Sequence, residues 1–202
     1  MLNQYQSQKD PNVEDTESES KSKRSSCVGF IIDTVETILL ALVLFLVINA
    51  LSARVRVENV SMKPTLQPGE FLLVNRVAYK FGEPSIGDIV VFHAPGPSDI
   101  DYIKRIIALP GDEVRVADGT VYVNDQSLYE PYIADPPNYN GSWTVPPGEY
   151  FVLGDNRNNS SDSHLWGFIP KEDIVGRALL IYWPISDFTL FRNRDIVQAN
   201  QY

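Results

Sequence analysis

The sequence predicts a mainly β protein with one N-terminal apolar helix, and two patterns support this prediction. Residues 28–51 are almost continuously apolar, and 24 residues are enough to cross a lipid bilayer as a helix. From about residue 55 onward, short runs rich in Val, Ile, Tyr and Phe are separated by Gly, Pro, Asn and Asp, which is typical of strands joined by turns. The length of 202 residues leaves room for one sizeable domain or two small ones.

The composition argues against several classes of protein. The formal net charge is -9, so the clustered positive charge that a nucleic-acid partner requires is not expected. Cys27 is the only cysteine and cannot close an intrachain disulfide. The two histidines, His93 and His164, are too few for an all-histidine metal site, although a mixed site with carboxylates stays open. We therefore expect no cofactor and no metal.

The N-terminal segment has the composition of a disordered tail. Residues 1–27 are rich in Gln, Asn, Ser, Asp, Glu and Lys and cannot bury enough apolar surface to fold. The basic segment KSKRSS closes this tail, directly before the apolar residues. Positive charges beside a membrane span stay in the cytoplasm, so the tail should be cytoplasmic and everything after Leu51 should lie across the membrane.

Two acidic residues, Asp33 and Glu36, interrupt the apolar stretch, so its insertion has to be checked as an energy. From Ile38 to Leu51, eleven residues are Leu, Ile, Val or Phe. Together they contribute roughly -3 to -7 kcal/mol to insertion, whereas one central acid costs about +2.5 to +3.5 kcal/mol. Both acids lie in the N-terminal third, within reach of the headgroups. Two alternatives stay open, a cleaved signal peptide ending near NALSA and the buried helix of a soluble protein.

The rest of the chain reads as strands, turns and loops. Asp118-Gly119 predicts a hairpin turn because both residues accept a positive φ. The proline-rich residues 135–148 predict a loop. The predicted strands are Val55–Glu58, Glu70–Val77, Asp88–Phe92, Asp101–Ala108, Glu113–Ala117, Thr120–Val123, Tyr150–Leu153 and Val175–Trp183.

Two segments carry residues with possible chemistry. In VENVSMKPTLQPGE, Ser61 lies between an extended run and a turn that would expose its hydroxyl, although such serines usually only bond to the local backbone. In DYIKRIIALPGDEV, Lys104 lies among isoleucines in a predicted strand. A lysine there is either an exposed edge residue or a buried amine with a lowered pKa. Only the uncharged amine could accept a proton from a serine.

A third segment, LGDNRNNSSDSHLWGFIP, is dense in Asn, Ser and Asp. A calcium loop counted from Asp155 would place Arg157 third and Ser160 at the position that needs glycine, so this match fails. A phosphate loop would need several glycines and a lysine, which the segment lacks. Taken alone, the segment is a long surface loop with hydrogen bonds among its own side chains.

Taken in order, the basic and apolar N-terminal segment, SMKPTL, YIKRIIALPGD and GDNRNNSSDSHLWGFIP resemble the signature segments of the type I signal peptidases. The resemblance extends from about Lys21 to Trp183. The SHLWG form is closest to the cyanobacterial and thylakoid members. The family implies a mainly β fold with a core of two antiparallel sheet regions and one N-terminal transmembrane helix. It also implies a membrane-bound serine peptidase with a Ser-Lys dyad.

The resemblance implies a role for each matching residue. Ser61 is similar to the nucleophile and Lys104 to the general base, while Ser160 is similar to the serine that holds the lysine amine. The matching supporting residues are an ion pair of Arg105 with Asp162, and the floor of the site at Gly154, Asp155, Asn156 and Arg157.

Two positions depart from the family pattern. Asn59 occupies a position where many relatives have Ser or Gly, and its amide could join the backbone N-H of Ser61 as the oxyanion donor. His164 occupies a position that is commonly Arg, which would make the ion-pair network weaker or pH-dependent. His164 also leaves open a rival triad of Ser61, His164 and Asp162.

The resemblance further implies the substrate and the membrane. Members of the family cut preprotein signal peptides after small residues in an A-x-A pattern. The substrate should therefore bind as an added strand between residues 55–59 and 101–103. The protein should lie in the plasma or thylakoid membrane, with membrane lipid and the export translocon as further partners. The residues expected to wall the substrate pockets are Val55, Val57, Met62, Leu66, Leu72, Val91, Tyr102 and Ile103.

The family fold also implies domain boundaries. The anchor should span residues 28–51, and the β core should combine residues 52–110 with 149–190. Residues 111–148 should form a small inserted hairpin and loop, and residues 191–202 a C-terminal tail. Two other functions stay open, a self-cleaving Ser-Lys regulator, which would need a DNA-binding module, and a non-catalytic membrane-tethered β domain.

Overall fold

The computed structural model describes residues 12–96, 100–191 and 197–198 and begins with a single long helix. Helix α1 spans Asn12–Leu51 and contains the apolar stretch Gly29–Leu51, whose mean hydropathy is 2.5. By length and composition this stretch can cross a membrane, and its side chains from Phe30 onward are exposed, which argues against a buried core helix. The predicted apolar helix is therefore confirmed.

The structure extends α1 back to Asn12, so residues 12–27 of the predicted tail are described as helix. This segment contains Glu, Lys and Arg, which are good helix formers, among several serines. Residues 1–11 of the predicted tail lie outside the described residues.

The larger sheet holds eight antiparallel strands, in the order β1-β2-β11-β3-β4-β9-β10 with β12 paired to β11. Its strands are β1 Ser52–Arg56, β2 Phe71–Asn75, β3 Ile89–His93, β4 Asp101–Ala108, β9 Glu149–Leu153, β10 Ile169–Pro170, β11 Ile174–Trp183 and β12 Thr189–Leu190. It draws on residues from both predicted core segments. A short helix, α2 Ser163–Trp166, follows β9 and is capped by Asp162.

The smaller sheet follows the order β13-β7-β6-β5-β8. Its strands are β5 Glu113–Ala117, β6 Thr120–Val123, β7 Gln126–Tyr129, β8 Gly141–Thr144 and β13 Val197–Gln198. The two antiparallel sheets confirm the predicted mainly β fold. Asp118 and Gly119 have φ values of 50° and 76°, so the predicted hairpin turn between β5 and β6 is also confirmed.

Two predictions for this sheet need correction. Residues 111–148 contain four strands rather than one hairpin, because β8 lies inside the predicted proline-rich loop and pairs with β5. The predicted tail 191–202 contains β13, which pairs with β7. Residues 192–196 and 199–202 of that tail lie outside the described residues.

Apolar packing joins the two sheets. One core cluster contains Ile107 and Phe151 from the larger sheet together with Val114 and Val121 from the smaller one. The Phe151 ring lies 5.1 Å from the ring of Trp143 in β8. The inserted residues therefore pack directly on β4 and β9, the strands that continue toward the candidate site.

Among the described strands, two edges of the larger sheet stay open. Strand β1 pairs only with β2. Strand β4 pairs with β3 along its first half, but β9 joins it only from Arg105 onward. Residues 101–104 and the outer side of β1 consequently have backbone groups without a neighbouring strand, which is the arrangement that an added strand can use.

Candidate active site

Ser61 and Lys104 meet although 43 residues separate them. The Lys104 Nζ atom donates a hydrogen bond of 2.8 Å to Ser61 Oγ. Lys104 lies in the middle of β4, and Ser61 lies in the turn that follows β1. Backbone bonds from Lys63 N to Val60 O and from Leu66 N to Met62 O hold that turn. The fold thus brings the first two sequence-predicted residues into direct contact.

The environment of Lys104 favours the uncharged amine. Only 3% of the residue is exposed. Burial lowers the pKa of the Lys104 amine to about 8, although the charges of Asp162 and Asp155 partly oppose this shift. The amine also donates to Ile103 O at 3.2 Å. Of the two sequence-based alternatives for this lysine, an exposed edge residue or a buried amine, the structure shows the second.

Ser160 does not make its expected contact with the lysine. Its Oγ atom is buried and has no hydrogen-bond partner among the described residues. A Cβ atom added to Gly154 would overlap both Ser160 Oγ and the Ser61 carbonyl oxygen, so Gly154 lies closely between the two serines. The prediction that Ser160 holds the amine is corrected, because the lysine bonds to Ser61 and to its own backbone instead.

The loop after β9 fixes the turn that carries Ser61. Asn156 N donates to Ser61 O at 3.0 Å, and Asn156 Nδ2 donates to Val60 O at 3.1 Å. Asp155 is fully buried and accepts a hydrogen bond from Thr65 Oγ1. Three hydrogen bonds therefore connect this loop to the two sides of the Ser61 turn.

The predicted ion pair of Arg105 with Asp162 is wrong. Arg105 pairs with Asp155 through two parallel hydrogen bonds, Nε to Oδ1 at 2.8 Å and Nη2 to Oδ2 at 2.7 Å. Burial works against the charge, but Asp155 outweighs it and raises the pKa of the Arg105 guanidinium. Asp162 instead accepts from Gly154 N at 2.9 Å and contacts His164 Nδ1 at 2.6 Å. Each carboxylate thus supports the site through a different partner.

His164 does not form a triad with Ser61. Its ring stacks on Tyr139 with centroids 4.0 Å apart, and its Nδ1 atom is held by Asp162. Within the described part of the chain, the hydrogen bond that reaches Ser61 Oγ comes from Lys104 and none comes from His164. The geometry therefore favours the lysine as the base.

Sequence reasoning missed Glu130 and Tyr132, which come from the inserted residues after β7. Glu130 accepts from Arg157 Nη1 at 2.8 Å and from Nη2 at 2.6 Å, and Arg157 Nε donates to Gly154 O at 3.0 Å. Tyr132 donates to Glu130 at 2.6 Å, and its ring lies 4.0 Å from the Arg105 guanidinium. This cluster braces the loop beside Ser61. No local pattern in YEPYIADPP distinguishes Glu130 from a solvated loop acid.

A groove of about 580 Å³ leads to the dyad between the two open edges. Of the predicted pocket residues, Leu66, Leu72 and Val91 are fully buried in the core behind it and do not line it, which corrects the prediction for these three. Asn59 does line the groove, two residues before Ser61. The predicted pocket residues that line it are Val55, Val57, Met62, Tyr102 and Ile103.

Comparison with known proteins identifies the family of this chain. A family model described as signal peptidase, peptidase S26, matches residues 31–183. A probable signal peptidase I-1 of Synechocystis sp. is 45% identical over 185 residues, which span 84% of this chain and 94% of the relative. The chloroplastic thylakoidal processing peptidase 1 of Arabidopsis thaliana is 41% identical over 165 residues, 75% of this chain and 48% of that protein.

A crystal structure of a signal peptidase I from Enterococcus faecalis is 34% identical and covers 48% of this chain and 97% of its own, with a TM-score of 0.44. The family match covers most of the chain, and the Synechocystis relative matches nearly end to end. The chain therefore belongs to the signal peptidase family, peptidase S26, whose members are membrane-bound serine peptidases that remove signal peptides from preproteins.

Proposed function

We propose that Ser61 is the nucleophile of this peptidase and that Lys104 is its general base. The observation that carries the proposal is the 2.8 Å contact between Ser61 Oγ and an amine that is almost completely buried. An uncharged amine at this distance can accept the hydroxyl proton, whereas a charged one cannot. The lowered pKa of Lys104, about 8, gives a useful uncharged fraction near neutral pH.

The reaction proceeds in two halves. Ser61 Oγ attacks the carbonyl carbon of the scissile peptide as its proton moves to Lys104 Nζ. The charged lysine then returns that proton to the leaving amine, and the peptide C-N bond breaks to give an acyl-serine. In the second half, water gives a proton to Lys104 and attacks the ester, after which Ser61 leaves with the proton from the lysine. Each half returns the amine to its uncharged form.

The negative oxygen of each tetrahedral intermediate needs donors. The Ser61 backbone N-H and the Asn59 side-chain amide are the proposed pair. Asn59 lines the groove two residues before the nucleophile, which supports a position beside the reacting carbonyl. Its amide is longer than the serine hydroxyl of many relatives, so it would reach the oxygen from farther along the groove wall.

The substrate would bind as an added strand. The residue directly before the cleaved bond would be small. Val57 directs its backbone groups to the start of β2, because its N-H bonds to Glu70 O and its carbonyl accepts from Gly69 N, both at 2.8 Å. Alternation then turns the backbone groups of Arg56 and Glu58 to the open edge. Apolar side chains, among them Val55, Val57 and Met62, line the groove, which supports selection of small apolar residues in an A-x-A pattern.

The localisation follows from α1 and its flanking charges. The apolar stretch Gly29–Leu51 supports a membrane anchor, and the basic segment before it supports a cytoplasmic N-terminus with the catalytic part on the opposite side. The thylakoidal and cyanobacterial relatives support a plasma or thylakoid membrane. Membrane lipid and the export translocon are the partners proposed beyond the precursors themselves.

The decisive experiment uses the full chain in detergent with a precursor that carries an A-x-A site. Ser61→Ala and Lys104→Ala should each reduce kcat/KM by at least about 10³-fold, since neither half-reaction proceeds without the pair. Ser142→Ala, an exposed serine on β8, is the matched control and should leave the rate unchanged. Mature product from Ser61→Ala at the wild-type rate would refute the mechanism. No mature product from the wild-type chain would favour a non-catalytic tethered domain.

A further inference from the structure

The groove that contains Ser61 and Lys104, here the first cavity, continues into further open space. A second cavity of about 970 Å³ shares Val55 and Asp101 with the first, so the two meet at the end of the groove that is remote from Ser61. Of the predicted pocket residues that line the first cavity, Val55 alone also lines the second. The second cavity is therefore space for a different part of the same extended chain.

The second cavity is basic, although the whole chain has a net charge of -9. Arg54, Arg76 and Lys80 line it. In the described residues, no carboxylate lies within ion-pair distance of Arg76 or Lys80. Both side chains belong to exposed residues in the turn after β2. Unpaired positive charge concentrated in a concave surface attracts negative groups at short range.

The other charged groups around the cavity are largely paired with each other. His93 Nδ1 lies 2.8 Å from Asp101 Oδ1. Lys171 Nζ lies 2.7 Å from both carboxylate oxygens of Glu83. Glu172 is the remaining acid of the lining. The excess positive charge of the second cavity thus lies mainly on Arg54, Arg76 and Lys80.

The direction of the bound chain follows from the anchor. Ala50, in the last turn of α1, lines the second cavity, and Arg76 N bonds to Leu51 O at 3.0 Å. The far end of the groove therefore includes Ala50 and adjoins Leu51, the residues at which the chain enters the β-rich unit. A precursor also comes out of the membrane with its apolar segment upstream of the cleavage site, so its upstream residues enter from this end.

The number of residues between the cut and the second cavity can be counted along the strands. From Asn59 to Arg54 the groove wall advances five residues along the chain. Paired strands advance in step, one residue for one residue, so a substrate residue facing the second cavity lies about four to six positions before the scissile bond.

We propose that the second cavity binds the segment of the precursor between its apolar stretch and the cleavage site, and that it favours aspartate or glutamate there. This inference rests on the proposed function, because it assumes that the precursor occupies the groove. It adds a specificity determinant that acts by charge, whereas the first cavity acts by size.

The test compares two precursors that differ only in the fifth and sixth residues before the cut, Asp-Asp in one and Ser-Ser in the other. The measured quantity is the ratio of their kcat/KM values for the full chain in detergent at low salt. Wild type should prefer the acidic precursor by about two- to fivefold, as expected for pairs open to solvent. Arg76→Glu and Lys80→Glu should each reverse the preference, and salt should weaken it.

Arg115→Glu is the matched control, because Arg115 is a partly exposed arginine on β5 of the other sheet. Its ratio should equal that of wild type. A wild-type ratio of one, with both precursors cut, would overturn the inference and leave the proposed function intact. Failure to cut either precursor would overturn both. Loss of binding to anionic lipid vesicles in Arg76→Glu and Lys80→Glu, with no change in the ratio, would assign the surface to lipid headgroups and overturn the inference.

Discussion

Two groups of buried cations lie side by side in this protein and have opposite protonation chemistry. Lys104 has no carboxylate in hydrogen-bond contact among the described residues, and burial lowers its pKa to about 8. Arg105 and Arg157 are equally buried, but each is held by two hydrogen bonds from its guanidinium to one carboxylate, Asp155 or Glu130. Their pKa values are raised rather than lowered.

The difference teaches that burial alone does not decide whether a cation keeps its proton. A paired arginine stays charged and acts as a rigid tie, because its planar fork matches the carboxylate. Lys104 has no such pair, and the charges of Asp162 and Asp155 offset its loss of solvation only in part, so its pKa falls and the uncharged amine becomes accessible. The two arginine pairs hold the loop and the strand, and the lysine between them is left free to exchange a proton with Ser61.

The largest effect is expected from a substitution of Lys104 that prevents loss of its proton. Lys104→Arg keeps a positive group of similar length but removes the possibility of deprotonation. We expect kcat/KM to fall by at least about 10²- to 10⁴-fold, the contribution of a general base. The fold should persist, which circular dichroism and the melting temperature can verify. Substantial activity in this variant would mean that a permanently charged group supports catalysis. The low pKa of Lys104 would then have no role in the reaction.

The role of the paired arginines can be tested by removing the carboxylate that one of them binds. Glu130→Leu leaves the Arg157 guanidinium buried without its partner, and such a loss costs about 3–5 kcal/mol of stability. A large fall in the denaturant midpoint should accompany a loss of activity, because Arg157 also holds Gly154. Adding Arg157→Leu should recover part of the stability, since no uncompensated charge then remains.

The matched control for Glu130 is Asp125→Asn. Asp125 is 91% exposed and lies 3.8 Å from Arg115, so its removal should leave the midpoint close to that of wild type. Equal effects in the two variants would show that the Glu130 pair behaves as a surface pair, contrary to its burial.

The smallest effect concerns the carboxylates near the lysine. In the proposed mechanism the uncharged Lys104 amine is the active form and its pKa is about 8, so kcat/KM should rise with pH through about pH 8 and level off above it. The charge of Asp162 raises this pKa, so Asp162→Asn should move the midpoint to lower pH. Stopped assays across pH 6 to about pH 10 with Asp125→Asn as control would measure it. A midpoint that stays fixed or rises would contradict the assigned electrostatics.

Local pattern predicts the strands that are rich in β-branched residues and end at turn residues. The observed limits of β5 and β6, which bury one face each and flank the Asp118-Gly119 turn, match the prediction. The limits of β4, which is rich in isoleucine and buried on both faces from Lys104 onward, match it as well. The sequence does not predict β8, because its residues GSWT lie between prolines. This strand forms by pairing with β5, which is distant in sequence. Its formation is a tertiary event that no window of sequence contains.

The dyad was predicted by resemblance, and its partners were predicted less well for a physical reason. Asp155 and Asp162 stand seven residues apart in one loop, and the path of that loop decides which of them faces Arg105. Sequence order carries no information on that path. Glu130 is harder still, because it reaches Arg157 from the inserted sheet and resembles any loop acid until both are buried.

The open edges of β1 and β4 have a consequence for the protein in concentrated solution. An unpaired strand edge can pair with the edge of another molecule, which leads to aggregation. Here β1 carries exposed Arg54 and Arg56, and exposed Glu58 follows two residues later; charged residues on an edge oppose that pairing. These charges therefore allow the edge to stay uncovered without pairing to another copy. Neutralising Arg56 and Glu58 together should turn the proposed substrate-binding edge into a self-association site.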